Sequence, residues 1–405
     1  MVRDTRGSGS WLLKELAKGL RGNGVDVFDA GVLSTPSVAY LVKARGFNAG
    51  AVISASHNPP EFNGIKFFTP QGRKWPDAWE HLVEELFYSD SFKPKTKAKG
   101  NFFPAEGLNG VYEDFLLDSL NGVDDFSNFR IALDCSNGAN SHTAPDVFRR
   151  LGAEVVVVGA SPNGKNINVG CGSQHTDKLS DLVRRKKCHV GIAFDGDGDR
   201  VILVDEKGKT LDGDHIIALL AKSLKKKKLL KNNTVVLTVM ANLGLKKALK
   251  KLSIRSVDVA VGDRYVSEAM RKTGAVLGGE QSGHIIMGAH LPTGDGLLTA
   301  LHVMTVLREE KKPLSKLVSF MEKFPQVLLN VPVKERTPIE EMLETSKCIS
   351  KITKTLGSNG RVLVRYSGTE PLLRIMIEGP DKKKLERYAN DIAECVRRAN
   401  GSARS

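Results

Sequence analysis

The sequence of 405 residues has few cysteines and few aromatic residues. Its five cysteines are odd in number, and none stands in a CxxC or CxH spacing. Such a set predicts neither a disulfide framework nor a zinc site, so we interpret the cysteines as reduced thiols. Phe, Trp and Tyr make up 6% of the chain, and the densest basic runs, 184–187 and 225–228, contain none of them. The sequence therefore does not indicate stacking platforms for single-stranded nucleic acid.

Long hydrophobic runs are also missing. No apolar stretch approaches the ~18 to 20 residues of a membrane helix, and the opening MVRDTRGSGS lacks the apolar part of a signal peptide. We therefore expect a cytoplasmic protein without a membrane partner. The composition, 41% hydrophobic and 26% charged, is typical of globular domains. The length predicts roughly two to four such domains.

Acidic residues are outnumbered, since 60 Lys and Arg face 46 Asp and Glu and leave a formal net charge of +14. Such an excess attracts anions over a long range. Phosphorylated metabolites and nucleic acid both carry that charge. Because the basic runs have no aromatic neighbours, we interpret them as solvated helix faces and expect no nucleic-acid partner.

Short β-branched runs alternate with amphipathic helical patterns, which predicts α/β domains. The helix nearest the start covers 12–20. Strands are predicted at 25–28, 50–53, 130–133, 154–158, 190–194, 201–204, 235–239 and 257–261. The final stretch, with strands at 326–333, 361–366 and 372–378 and a helix at 382–398, predicts a small α+β unit. A linker is expected near 311–325, and softer boundaries near 118–126 and 205–214.

Three carboxylates alternate with glycines directly after a predicted strand, in Asp195-Gly196-Asp197-Gly198-Asp199-Arg200. Hard oxygen ligands at this spacing can converge on one cation. An EF-hand has a similar opening, but Arg200 occupies the position where that loop needs glycine. A plain turn is the alternative, yet carboxylates this close repel each other unless a cation neutralises them. The pattern therefore favours a magnesium site.

A second polar segment, S-A-S-H-N-P-P-E-F-N-G-I-K at 54–66, follows another predicted strand. Active sites of α/β proteins lie at such strand ends. Ser56 is a candidate nucleophile or, once phosphorylated, a phosphate donor, although Ser-His-Asn-Pro fits a capped turn equally well. The sequence has no G-x-S-x-G elbow here, so the segment does not indicate a hydrolase triad. Lys66 is a candidate acid or base if burial or neighbouring cations lower its pKa.

Two further loops combine polar groups. Glu280, Gln281, Ser282 and His284 stand between glycines and suit a polyhydroxylated ligand, with His284 able to carry a proton, or else form an ordinary turn. Around Ser367, Gly368 and Thr369, the arginines Arg365 and Arg374 could clamp a phosphate, or flank a plain hairpin. Arg264 is at a strand-end turn, where it could lie near an anionic ligand.

The four segments S-A-S-H-N-P-P-E-F-N-G-I-K, D-G-D-G-D-R, G-E-Q-S-G-H and R-Y-S-G-T-E-P, in this order, resemble the α-D-phosphohexomutase superfamily. They are similar to its phosphoserine, magnesium, sugar-binding and phosphate-binding loops. Within the superfamily, the sequence is most similar to the bacterial-type phosphoglucosamine mutases at three places: Gln281, Ile167-Asn168 and Cys171-Gly172-Ser173. The resemblance covers nearly the whole chain.

The resemblance implies a reaction between glucosamine 6-phosphate and glucosamine 1-phosphate in amino-sugar nucleotide and cell-wall precursor synthesis. Phosphorylated Ser56 would be the donor, glucosamine 1,6-bisphosphate the intermediate and activator, and Asp195, Asp197 and Asp199 with that phosphate the Mg²⁺ ligands. Lys66 first, and otherwise His57 or His284, would move the hydroxyl proton. The remaining residues would bind substrate: Arg200, Arg264, Glu280, Gln281, Ser282, Arg365, Ser367, Gly368, Thr369 and Arg374.

The fold that the resemblance implies has three similar α/β domains with mixed sheets and a smaller C-terminal α+β domain around a central cleft. We place these domains at 1–120, 121–210, 211–322 and 323–405. A small phosphosugar is the expected partner, and the sequence leaves monomer and homodimer open.

Two alternatives to this function stay open. The same machinery serves a phosphomannomutase or phosphoglucomutase. Members of the superfamily also usually begin with an additional strand and a Phe-Gly-Thr-Asp-Gly-Ile-Arg-Gly loop, whereas this chain begins downstream at Arg3-Asp4-Thr5-Arg6. We therefore expect lower stability and activity than in a form with that segment, and an inactive phosphosugar-binding fragment is the second alternative.

Overall fold

The computed structural model describes residues 1–89, 99–105, 107–123, 125–367 and 370–399. The chain divides into two compact units, of which the first comprises 1–241 and 249–320 and the second 242–248 and the residues from 321 onward. No helix of the described residues is long and apolar enough to cross a membrane.

The first part of the first unit has a three-stranded mixed sheet of order β1-β3-β4 and a parallel pair, β2 with β5. Strand β3 is buried along its whole length, and its side chains pack on helix α2. The elements are β1 (Val2–Arg3), α1 (Gly9–Gly22), β2 (Val27–Asp29), α2 (Thr35–Ala44), β3 (Gly50–Ile53), β4 (Ile65–Phe68), α3 (Asp77–Tyr88), β5 (Phe102–Pro104) and α4 (Leu108–Asp118).

The middle part is a five-stranded mixed sheet of order β10-β9-β8-β6-β7. The apolar strands β8 and β9 are buried throughout and pair antiparallel, so the turn that joins them is held at the edge of a rigid core. The elements are β6 (Arg130–Asp134), α5 (Thr143–Arg150), β7 (Glu154–Val158), α6 (Asp177–Lys186), β8 (Val190–Phe194), β9 (Val201–Asp205) and β10 (Thr210–Leu211).

The third part has a mixed sheet of order β12-β11-β13-β14. Helices α7 and α10 begin at Asp212 and Asp295, whose carboxylates accept hydrogen bonds from backbone N–H groups of the first helical turn. The elements are α7 (Gly213–Lys226), β11 (Thr234–Thr238), α8 (Leu243–Lys251), β12 (Arg255–Val259), α9 (Asp263–Thr273), β13 (Leu277–Gly279), β14 (Ile285–Met287), α10 (Gly296–Glu310) and α11 (Leu314–Leu317).

The second unit is an antiparallel sheet of order β15-β17-β16 covered by two helices. Glu378 is buried in its core and accepts bonds from Arg361 at 2.7 Å and from the Asn242 amide at 3.0 Å. The elements are β15 (Gln326–Pro332), α12 (Leu343–Leu356), β16 (Arg361–Tyr366), β17 (Leu372–Glu378) and α13 (Lys382–Ala399).

The predicted fold class, α/β sheets followed by a smaller α+β unit, is confirmed, and most predicted strands lie within two residues of their predicted bounds. Six short strands, β1, β4, β5, β10, β13 and β14, were not predicted, because each has only two to four residues and β13 contains two glycines. Helix α11 lies inside the predicted linker at 311–325.

Candidate active site

Ser56 lies three residues beyond the buried strand β3, in a loop that turns sharply away from the sheet. Its backbone φ is +53°, a left-handed conformation that is uncommon for a residue other than glycine. The Ser56 N–H donates to Ser54 Oγ at 2.9 Å, and Ser56 Oγ donates to Asp195 Oδ2 at 2.7 Å. The structure therefore brings together the two segments that the sequence analysis proposed separately.

The turn between β8 and β9 holds Asp195, Asp197 and Asp199, which are 0%, 0% and 3% exposed. One carboxylate oxygen of each lies within 4.8 Å of the others. Asp197 Oδ1 is buried and has no hydrogen-bond partner within the part of the chain that the structure describes. Three buried hard-oxygen donors with an unused lone pair are what a divalent cation requires, so the group can hold such an ion.

Lys66 on β4 provides positive charge at these carboxylates. Its Nζ lies 2.7 Å from Asp197 Oδ2 and 4.0 Å from Asp199 Oδ2. Burial lowers the pKa of Lys66, but Asp197 and Asp199 outweigh burial and raise this pKa above its ordinary value. The expectation that burial or neighbouring cations lower the Lys66 pKa is therefore wrong for this structure, where acidic neighbours outweigh both.

The aspartates divide in their protonation. Burial, and next the charge of Asp197, raise the pKa of Asp195 well above its usual range. For Asp199, burial acts in the same direction, but His284 and Lys66 outweigh it and hold the pKa well below that range. Without a cation the three sites cannot all ionise freely, which is the electrostatic signature of a cation-binding group.

The two candidate histidines differ. Burial and Arg200 lower the pKa of His57, and its Nδ1 finds no partner among the described residues, so the ring is neutral and open to a proton. His284 is buried, with Nδ1 3.5 Å from Asp199 Oδ1 and Nε2 accepting from the Gly294 N–H at 3.1 Å. Burial lowers the pKa of His284, but Asp199 outweighs burial, so the net shift of the pKa is upward. The hydrogen bond from the Gly294 N–H requires Nε2 to be unprotonated. His284 therefore supports Asp199 through Nδ1, while its Nε2 is occupied by the Gly294 N–H.

The turn between β13 and β14 presents the predicted sugar-binding residues. Glu280 accepts from the Gly262 N–H at 3.1 Å and from Ser282 Oγ at 3.2 Å, and Ser282 is exposed. Gln281 Nε2 is buried without a partner within the described chain. The loop is therefore ordered by its own bonds, with the Ser282 hydroxyl available to a ligand.

The two predicted arginines of the first unit have different surroundings. Arg200 lies beside the aspartates, with its backbone N–H donating to Asp195 Oδ1 at 3.1 Å and its Nε 3.8 Å from Asp199 Oδ1. Arg264 forms ion pairs with Asp77 and with Glu80, the latter at 3.1 Å, both on α3. A cavity of about 330 Å³ adjoins Lys66 and Arg264. Two carboxylates thus compete with any anion for Arg264, which the sequence analysis did not foresee.

In the second unit, Arg365 and Arg374 are paired across β16 and β17. Arg374 Nη2 lies 2.6 Å from Glu370 Oε2, and burial followed by the Arg374 charge lowers the pKa of Arg365. Ser367 is buried near Glu370. The predicted residues Gly368 and Thr369 lie outside the described residues.

Sequence reasoning missed several residues that hold this site. Thr35 at the start of α2 donates to Asp197 Oδ2 at 2.6 Å, and Lys74 forms an ion pair with Asp263. Arg6 and Asn168 both donate to the backbone of the Ser56 loop. Each contact joins residues distant along the chain, so no local pattern signals it. Arg6 and Asn168 lie in segments quoted above from the sequence, but neither was proposed as a site residue.

Comparison with known protein families gives matches over most of the chain. Models of the phosphoglucomutase/phosphomannomutase family match in order: alpha/beta/alpha domain I at 1–94, domain II at 111–208, domain III at 212–324 and the C-terminal domain at 328–395. The chain belongs to the phosphoglucomutase/phosphomannomutase family.

Curated relatives within this family are close in sequence. A phosphoglucosamine mutase of Citrifermentans bemidjiense is 47% identical over 99% of this chain and 89% of its own length. A phosphoglucosamine mutase of Geobacillus thermodenitrificans is 48% identical over 98% of this chain and 89% of its own length. The predicted superfamily, its phosphoglucosamine mutase subgroup and the phosphohexomutase enzyme class are confirmed.

Solved structures show the same family fold at lower identity. A phosphoglucomutase/phosphomannomutase family protein of Burkholderia thailandensis superimposes with a TM-score of 0.82 at 22% identity, covering 100% of this chain and 89% of that one. An N-acetylphosphoglucosamine mutase of Aspergillus fumigatus, in complex with GlcNAc-6P and magnesium, gives 0.66 at 18% identity, covering 90% of this chain and 92% of that one. In the order of family domains, Ser56 comes from domain I, the aspartates from domain II and Glu280 from domain III. Domain boundaries at 120, 210 and 322 stay predictions.

Proposed function

We propose that this family member is a phosphoglucosamine mutase, which interconverts glucosamine 6-phosphate and glucosamine 1-phosphate. The observation that carries the proposal is the hydrogen bond of 2.7 Å between Ser56 Oγ and Asp195, at the edge of a buried three-aspartate group. A hydroxyl in this position is suited to hold a transferable phosphoryl group. The names of the curated relatives support glucosamine as the sugar.

The proposed reaction starts from the enzyme with phosphate on Ser56. The bond between phosphorus and Ser56 Oγ breaks, a bond from the free sugar hydroxyl to phosphorus forms, the sugar hydroxyl proton passes to a base, and Ser56 Oγ takes up a proton. The 1,6-bisphosphate then turns over. Its other phosphate returns to Ser56, the Ser56 hydroxyl proton passes to a base, and the sugar oxygen left behind takes up a proton. Ser56 is thus phosphorylated again at the end of each cycle.

Two residues are proposed for the proton. Lys66 is the first, because it lies beside the carboxylates that adjoin Ser56, and its raised pKa suits it to give a proton to an oxygen that leaves phosphorus. His57 is the second, since burial and Arg200 keep it neutral and its Nδ1 is free of partners among the described residues. His284 is the third candidate of the sequence analysis, and its position behind Asp199 places it in a supporting role.

The substrate-binding roles stay proposals. Glu280, Gln281 and Ser282 would bond the sugar hydroxyls and amine, and Arg200 and Arg264 would attract the phosphates. The phosphate that does not react would be held through Arg365, Ser367, Gly368, Thr369 and Arg374. Both orientations of the bisphosphate require such paired contacts, because each phosphate occupies each position in turn.

Magnesium is the proposed cation. Asp195, Asp197 and Asp199 would hold it together with an oxygen of the Ser56 phosphate, and their buried hard-oxygen set fits it. The ion would offset negative charge on the transferring phosphoryl group. We further propose a cytoplasmic role in supplying amino-sugar nucleotides and cell-wall precursors.

Turnover measurements test the proposal. The chain, loaded with glucosamine 1,6-bisphosphate and Mg²⁺, is assayed on glucosamine, glucose and mannose 6-phosphates. We expect the largest kcat/KM for the glucosamine compound. A larger value for mannose or glucose phosphate would assign a phosphomannomutase or phosphoglucomutase instead, and binding without turnover of any of the three would leave a phosphosugar-binding fragment.

A further inference from the structure

Arg6 uses its whole guanidinium group on the loop that carries Ser56. The side chain is buried, as the residue is 3% exposed. Its Nε donates to Asp4 Oδ2 at 2.9 Å, an ion pair with both side chains fully buried. The two terminal nitrogens donate to backbone carbonyls of the loop: Ser56 at 2.9 Å, Asn58 at 2.8 Å, Phe62 at 2.8 Å, and Pro59. All five N–H groups of a guanidinium are thereby engaged.

A second side chain, which belongs to another family domain, donates hydrogen bonds to two of the same carbonyls. Asn168 Nδ2 donates to the Ser56 carbonyl at 2.9 Å and to the Asn58 carbonyl at 3.0 Å. A carbonyl oxygen has two lone pairs, so Arg6 and Asn168 together satisfy both of these acceptors. The loop is therefore fixed from two sides, by domain I and by domain II.

The arrangement opposes the backbone strain at Ser56. A non-glycine residue at φ +53° costs roughly 1 kcal/mol or more and persists only where its surroundings impose it. Asp4 contributes as well, because it accepts from Ser54 Oγ at 2.6 Å, and Ser54 Oγ in turn accepts from the Ser56 N–H. The N–H side and the carbonyl side of Ser56 are thus both tied to the Asp4–Arg6 pair.

We infer that Arg6 is a positioning residue for the reactive serine, with Asn168 as its partner from domain II. The two side chains hold the Ser56 carbonyl so that Oγ points at Asp195. Neither residue touches the reacting atoms. This inference rests on the proposed function for its effect on turnover, but the clamp itself is a property of the loop.

Arg6→Lys is the informative variant. Lysine keeps the charge but offers its donors from a single nitrogen, which cannot span four carbonyls. A shift of Ser56 by about 1 Å is enough to lower kcat by about 100-fold. Since Arg6 does not contact the substrate, KM should change by less than about 3-fold. Asn168→Ala removes only the domain II donors and should lower kcat by about 10-fold.

Arg150→Lys is the matched control, since Arg150 also forms two ion pairs, with Glu113 and Asp114, away from the Ser56 loop. All variants are assayed with Mg²⁺, glucosamine 1,6-bisphosphate and glucosamine 6-phosphate, at a temperature where circular dichroism shows them folded. Hydrogen exchange of the amides at 55–63 is measured in parallel. We expect exchange there to accelerate about 10-fold in both loop variants, with the amides of β8 unchanged.

The two readouts separate the possible failures. Wild-type kcat and loop exchange in Arg6→Lys would overturn the inference while leaving the proposed function intact. So would faster exchange throughout β3 and β8 with kcat following the folded fraction, since that is a general loss of stability. If the unmodified chain itself gives no turnover, the proposed function fails, and the exchange of 55–63 alone decides whether Arg6 and Asn168 hold the loop.

Discussion

At the scale of single residues, the environment of Ser56 explains why this hydroxyl is suited to carry phosphate. It follows a buried strand, its backbone is held in a left-handed turn, and its Oγ lies beside Asp195. Positive charge from Lys66 and Arg200 surrounds the aspartates. A phosphoryl group on Ser56 would thus enter a site with donors and charge already in place, which is the condition for electrostatic catalysis.

The roles of Lys66 and His57 can be separated by substitution. Lys66→Met removes both a proton donor and a cation, and we expect kcat to fall by about 10²- to 10⁴-fold. His57→Gln should lower kcat by less than about 10-fold, because the glutamine keeps a hydrogen-bonding group in place. The measurement is kcat against pH for both variants, with exposed Lys14→Met as a control. A larger loss in His57→Gln would assign the proton to His57.

His302 predicts a loss of stability in acid. Burial, and next the charge of neighbouring His290, lower its pKa to about 3. An unfolded chain binds the proton near pH 6.5, whereas the folded chain does not, so stability is full above that pH and falls as the pH drops toward 3. The loss should be about 2 kcal/mol at pH 5 relative to pH 7.

Chemical unfolding of His302→Gln at several pH values checks this expectation. The variant should show a smaller difference in unfolding free energy between pH 7 and pH 5 than the natural chain. His81→Gln, at an exposed histidine of α3, serves as the control and should retain the original difference. Equal pH dependence in His302→Gln and the natural chain would refute the assignment.

At the scale of elements, two glycines form an informative pair. Gly138, in the loop after β6, lies against the loop between β8 and β9 that carries the three aspartates, where an added Cβ would stand 2.3 Å from the Gly196 carbonyl oxygen. Gly138→Ala should displace that loop, lowering stability by about 1 to 3 kcal/mol and kcat by about 10-fold or more. Gly19, in exposed α1, has open space, and Gly19→Ala should stabilise by about 0.5 to 1 kcal/mol. Thermal melting with turnover tests both, and an unimpaired Gly138→Ala would contradict the close packing.

The predictable elements are those with a continuous buried face. Strands β3 and β8 match their predicted bounds, since unbroken apolar runs between turn residues leave little choice. Strand β13 did not stand out, because Leu277 is followed by two glycines, and it is ordered by pairing with β11 and β14. Short strands of this kind depend on their neighbours more than on their own sequence.

The candidate site divides in the same way. Motif residues such as Asp195, Asp197 and Asp199 could be found from spacing, because the ligands are adjacent along the chain. The hydrogen bond of Ser56 to Asp195, and the ion pairs of Arg264 to α3, join segments far apart in sequence. No local pattern encodes such pairs, and the raised pKa of Lys66 follows from another of this kind, its ion pair with Asp197.

At the scale of the whole molecule, the net charge of +14 predicts a salt-dependent affinity for phosphosugars. A positive field raises the local concentration of an anionic substrate, and salt screens it over about 10 Å at 0.1 M. KM for glucosamine 6-phosphate should therefore rise several-fold between about 0.05 M and 0.3 M salt, with a smaller change in kcat. Initial rates at constant Mg²⁺ test this, and a KM independent of salt would show that only short-range contacts matter.

The central claim is that Ser56 carries the transferable phosphate. The most direct measurement is intact mass followed by peptide mapping, before and after incubation with Mg²⁺ and glucosamine 1,6-bisphosphate, for the natural chain and for Ser56→Ala. The account predicts one phosphate on the peptide that contains Ser56, its loss on addition of excess glucosamine 6-phosphate, and none in Ser56→Ala. A chain that stays unmodified, or that gains its phosphate at another residue, would contradict the account.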